Sequence, residues 1–112
     1  MKKTTISFEQ DKLQYSCDLM RALAHPLRLK ILEFIDRHEV INVNKIYNAL
    51  KIEQSITSQH LKILKGVGIV DNNKDGKFKH YQIDYERMLK TIKAINEFVG
   101  KTVPENNLAE KV

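Results

Sequence analysis

The chain has 112 residues, room for one domain with one core, and its 42% hydrophobic and 29% charged content is that of a globular rather than a disordered protein. No apolar run approaches the roughly 20 residues of a membrane-spanning helix, "MKKTTISFEQDKL" lacks the apolar segment of a signal peptide, and a lone Cys17 excludes an intrachain disulfide, so a cytoplasmic protein is expected. The formal net charge of +5 favours a polyanionic partner, with the placement of the cations deciding how much that counts.

Ser7 and Gln10 have the spacing of a capping box, which predicts a helix starting there. Leu13, Cys17, Met20 and Ala24 continue it as one apolar stripe to about residue 24. His25-Pro26 ends that helix and opens a second over Leu27 to Arg37, so rich in Leu and Ile that a central, largely buried position is expected. Asn42 is suited to cap a short third helix carrying Val43, Ile46, Ala49 and Leu50. The polar break "KIEQ" separates it from a fourth, "SITSQHLKILKGVGIV", in which Leu61, Leu64 and Val67 recur at helical spacing. Gly68 stands where a left-handed residue would end this helix, and Val70 begins an extended segment.

"NNKDGK", with Asp75-Gly76 at its centre, reads as a hairpin turn. Its second strand, Phe78 to Ile83, sets Lys79, Tyr81 and Ile83 on one face. Helical spacing returns from Tyr85 to Val99, and residues 101–112 form a polar tail beyond a single domain over 1–100. The expected fold is therefore mainly α with a two-stranded β-hairpin: a winged helix-turn-helix bracketed by a first and a last helix. Those two helices carry more apolar surface than so small a domain covers by itself, which predicts dimerisation through Leu13, Cys17, Met20, Met88, Leu89, Ile92, Ile95 and Val99. A packing role for Cys17 outweighs an intersubunit disulfide switch.

From about Leu19 to Tyr85 the chain resembles the ArsR/SmtB family of winged helix-turn-helix repressors. "LMRALAHPLRLKILEFI" is similar to the family's second-helix segment, and "QSITSQHLKILKGVGIVDNNKDGKFKHYQI" to its recognition helix and wing. The resemblance implies a homodimeric transcriptional repressor of double-stranded, pseudo-palindromic DNA, its first and last helices forming the interface. The rival reading is a winged helix used only for protein interaction, which an uncharged recognition face and an acidic wing would have favoured. No nucleophile and base at recognisable spacing and no Gly-rich phosphate loop point to an enzyme.

A recognition helix offers its N-terminal residues to base edges. The candidate DNA-binding stretch is Gln54, Ser55, Thr57, Ser58, Gln59 and His60, with Gln54, Ser58 and Gln59 expected on bases and His60 expected more as structural support than as a reader. Lys62 and Lys65 suit phosphates, as do Lys74, Lys77 and Lys79 in the wing. Ile56, at a position where a polar residue would be simpler, is expected to pack against the third helix rather than touch a thymine methyl.

Many members of the family sense metals. Their Cys-x-Cys position holds Asn42 and Asn44 here, and the ligand positions of the last helix hold Asp84, Glu86, Glu97 and Gly100. With no thiolate and no imidazole among them, a tight tetrahedral zinc site is not expected, and neither a metal inducer nor a cofactor is anticipated. His25 and His38 have no ligand partner at metal spacing and read as structural or surface residues.

Overall fold

A computed structural model describes residues 5–100 of the chain. In order, the elements are α1 (Gln10–Leu23), α2 (Pro26–His38), β1 (Val40–Asn42), α3 (Val43–Leu50), α4 (Gln54–Gly66), β2 (Val70–Asp75), β3 (Phe78–Ile83) and α5 (Tyr85–Val99). The polar tail expected over 101–112 lies outside the described residues.

Several helix ends follow local chemistry. The capping box at Ser7 does not form: α1 starts at Gln10 behind Glu9, which makes no side-chain cap. With Gln10 itself the first helical residue, its side chain is not in the position from which it could reach back to Ser7; Asp11 and the Glu9–Lys12 ion pair at 2.9 Å sit at this end instead. At α2, the His25 Nδ1 accepts the Leu27 N–H at 3.2 Å, and Pro26 occupies the first turn, where its missing N–H costs nothing. Asn42 caps α3 by accepting the Lys45 N–H at 2.9 Å, and Lys51 closes that helix in the left-handed region at φ 56°. Helix α4 ends with Gly68 at φ 82°: the Gly68 N–H reaches the Lys65 carbonyl and the Ile69 N–H reaches that of Leu64, both at 3.0 Å. These two bonds satisfy the last carbonyls of the helix and turn the chain directly into β2.

The core is assembled from every element except α5. Ala22 and Leu23 of α1, Ile31, Leu32 and Ile35 of α2, and Ile46 of α3 meet Leu61 and Leu64 of α4. Ile41, Ile69, Val70, Tyr81 and Ile83 complete it from the sheet side. Each buried Leu, Ile or Val side chain contributes about 1.5–3 kcal/mol on leaving water. Helix α2 is central, as expected, but its burial is one-sided, and Leu29 is exposed.

The sheet has three strands rather than the expected two, in the order β1-β3-β2, all antiparallel. Val40, Ile41 and Asn42 pair with Gln82, Tyr81 and His80. Three residues before a helix cap carry no periodic signal of their own; the strand exists because β3 lies alongside and Ile41 enters the core. Tyr81 and Ile83 are buried, as their alternation predicted. The hairpin turn is one residue later than expected. Asp75 pairs with Phe78, so the two-residue loop is Gly76-Lys77, with Gly76 at φ 62° supplying the positive φ that such a tight turn demands.

Candidate nucleic-acid interface

Thr57, Leu61 and Leu64 face the core and set the phase of α4. The opposite side presents Ser55, Ile56, Gln59, Lys62 and Ile63, all exposed, with Gln54, Ser58 and Lys65 exposed on its flanks. One expectation changes. Thr57 is 0% exposed and its hydroxyl donates to the Glu53 carbonyl at 3.0 Å, so it seats the first turn and faces no partner. The reason is periodicity: position 57 lies one and two turns before Leu61 and Leu64 and falls on the buried stripe with them. Ile56 is 39% exposed and lies outside the buried core.

His60 lies half-buried at the border between the two sides, held by a residue that sequence reasoning did not single out. The Arg28 Nε donates to the His60 Nδ1 at 3.1 Å, while Arg28 Nη1 donates to the carbonyls of Arg21 and Ala22 at 3.0 and 3.2 Å. One guanidinium thus caps the end of α1 and ties α2 to the recognition helix. Because arginine only donates, the His60 Nδ1 must be unprotonated, which leaves the proton of the neutral ring on Nε2. Burial pushes the His60 pKa below its ordinary value, and the neighbouring His25 and Arg28 charges push the same way. The His25 ring lies 4.8 Å away, centroid to centroid. Arg28 stands inside the Ala-His-Pro-Leu-Arg step, yet only the folded chain brings it against a residue 32 positions on.

The wing extends this basic surface. Lys65 near the end of α4 donates to the Asn72 side chain of β2 at 3.1 Å, joining helix and hairpin. Beyond that contact Lys74 and Lys79 are directly cross-strand from one another, with Lys77 in the turn between them, and all three are exposed. Like charges placed opposite each other destabilise an isolated hairpin, an arrangement that an anionic partner would relieve.

The remaining candidate surface is apolar. Helix α5 has no buried side chain at all: Leu89 is 61% exposed and Ile92 is exposed, while Met88, Ile95 and Val99 are half-buried. Leu13, Cys17 and Met20 of α1 are exposed as well. A groove of about 700 Å³ runs between α1 and α5, lined by Leu19, Met20, Ile95 and Phe98 and, at one end, by Tyr15 and Arg87. The Tyr15 hydroxyl donates to the Val67 carbonyl at 2.9 Å, Arg87 donates to that hydroxyl, and the Arg87 guanidinium lies 5.5 Å over the Tyr15 ring. The Asp84 N–H also donates to the Ile69 carbonyl at 2.9 Å, so the start of α5 is stitched to the end of the recognition helix. Sequence periodicity carries no trace of this junction.

Three of the positions matching known metal sites have other duties here. Asn42 caps α3, Asp84 caps α5 by accepting the Arg87 N–H, and Glu86 pairs with Lys90 at 3.3 Å. Among the described residues, no three His, Cys, Asp or Glu side chains come together as potential metal ligands. His25 caps α2, and the His38 ring bonds the Phe34 carbonyl at 2.8 Å. None of the described helices is long and apolar enough to cross a membrane.

Comparison with known proteins bears on this surface. The profile of the bacterial regulatory protein arsR family matches residues 25–72. The transcriptional repressor PagR of Bacillus anthracis is 34% identical over 88 residues, which span 79% of this chain and 88% of that one. Its crystal structure superposes with a TM-score of 0.64. NolR from Sinorhizobium fredii, 26% identical, superposes with a TM-score of 0.70 over 87% of this chain and 97% of its own. At 20% identity, the homodimeric winged helix-turn-helix DNA-binding domain of a possible ArsR-family regulator from Mycobacterium bovis shares the fold, with a TM-score of 0.72 over 93% of this chain and 95% of its own.

Proposed function

Because the chain belongs to the ArsR family and is a DNA-binding transcriptional repressor, we propose that it works as a cytoplasmic homodimer that inserts α4 of each subunit into successive major grooves of a pseudo-palindromic operator. The carrying observation is the continuity of one exposed surface, from the polar outer side of α4 through the Lys65–Asn72 contact to the directly opposed Lys74 and Lys79. Gln54, Ser58 and Gln59 contact bases, glutamine being able to grip adenine with two hydrogen bonds. Ser55 lies within reach of base or phosphate. Lys62, Lys65, Lys74, Lys77 and Lys79 neutralise phosphates and set register without reading sequence. His60 positions the helix through Arg28, and Thr57 holds its first turn.

Dimerisation through α1 and α5 is supported by the 15-residue α5, none of whose side chains is buried within one subunit. The half-buried Met88, Ile95 and Val99 and the exposed Leu13, Cys17, Met20, Leu89 and Ile92 are the contact residues. A thiolate or imidazole metal site at the familiar positions does not fit the residues there, which are Asn42, Asn44, Asp84, Glu86, Glu97 and Gly100.

Selection of fragments of the source genome by the purified protein tests this reading. A discrete set of inverted-repeat sites is expected, with Ser58→Ala and Gln59→Ala each weakening specific binding about five- to a hundredfold. Failure to retain any genomic fragment at low salt, or full affinity in both variants, overturns the assignment.

A further inference from the structure

Ile56 is the third residue of α4, in the first turn, where a recognition helix meets base edges. Its neighbours on the outer side, Ser55 and Gln59, are exposed and polar, and Thr57 after it points into the core. An isoleucine here lies outside the buried core with 39% of its surface exposed, and its β-branched side chain is no asset in a helix. The exposed part of that side chain is free to meet whatever α4 touches.

In the major groove each base pair presents donors and acceptors, and the one apolar group among them is the 5-methyl of thymine. We propose that Ile56 reads thymine in each half-site by packing against that methyl group. This deepens the reading that α4 enters the major groove and rests on it. Gln59, one turn further along the same exposed side, is placed to take an adjacent base by hydrogen bonding, so that one polar and one apolar residue together select a short A·T-containing step. Cytosine carries only a hydrogen at that carbon and an amino donor in place of the thymine O4, which isoleucine cannot accept from, so the contact discriminates as well as binds.

The test uses an operator fragment selected from genomic DNA, resynthesised with each thymidine singly replaced by deoxyuridine, which deletes the methyl and leaves the hydrogen-bonding edge intact. Binding is measured by fluorescence anisotropy for the full chain, Ile56→Ala and Ile56→Val. The wild-type protein should lose about three- to tenfold at one symmetric thymidine per half-site. Ile56→Ala should bind the thymidine fragment correspondingly more weakly and lose nothing more on uridine replacement, whereas Ile56→Val should keep most of the methyl preference. Unchanged affinity of Ile56→Ala for random-sequence DNA at low salt shows that the variant is folded and its phosphate contacts intact. Tight wild-type binding indifferent to every uridine, or the same uridine penalty in Ile56→Ala as in wild type, overturns the role of Ile56 and leaves the groove reading standing. If no fragment binds, both fall together.

Discussion

Neutralising the wing should separate what its lysines do for DNA from what they do to the fold. Lys74 and Lys79 are directly opposite in the β2–β3 ladder and both are exposed. Lys74→Gln removes a like-charge pair, which stabilises the free protein by at most about 0.5 kcal/mol, since solvent and salt screen exposed charges. On DNA the same change removes one phosphate contact per subunit, two per dimer, and lowers the slope of log K against log[salt] by about 1.8. Between 50 and 200 mM salt that is roughly a twelvefold smaller loss of affinity than the wild type suffers. Adding Lys79→Gln should lower the slope by about another 1.8, while adding no further stability, because the repulsion is already gone. Anisotropy titrations across a salt series give the slopes, and urea denaturation at fixed protein concentration gives the stabilities. Slopes that stay at the wild-type value would refute the wing as a phosphate contact; additive stability gains from the two changes would refute the cross-strand repulsion.

Two further outcomes follow from the seat of α4 and from the apolar helices. His60 is held below its ordinary pKa, so between that folded value and about 6.5 the unfolded chain binds the extra proton and the folded one does not. Its contribution to stability is therefore complete above about pH 6.5 and is lost as pH falls through the folded pKa; urea midpoints measured from pH 7.5 to 5 should fall less steeply in His60→Gln, and an identical pH profile in the variant would contradict the burial of a neutral His60 beside His25 and Arg28. Leu89→Glu and Ile92→Glu should yield monomers in sedimentation velocity, with unchanged helicity and at least tenfold weaker specific DNA binding, because both side chains are exposed within one subunit. A variant that stays dimeric would remove its residue from the interface.

What the sequence by itself determined was whatever depends on neighbours within a few residues. The Asn42 cap, the Pro26 start, the Gly68 stop and the two-residue alternation of Tyr81 and Ile83 are all local chemistry, and each forms as read. The family-like stretches placed the recognition helix and its wing. Thr57 marks the limit: residue type suggested it outside, yet the phase of the helix, anchored by Leu61 and Leu64, buries it. That phase was present in the spacing, but hydrophobicity at a single position spoke louder. Tertiary structure alone decided the rest. Strand β1 exists through hydrogen bonds to β3, some 40 residues on, and the helix is seated by Arg28 from 32 residues away and by Tyr15 from 52. Such pairings leave no periodicity in the chain, since they depend on which surfaces the core brings together rather than on any local preference for helix, strand or turn.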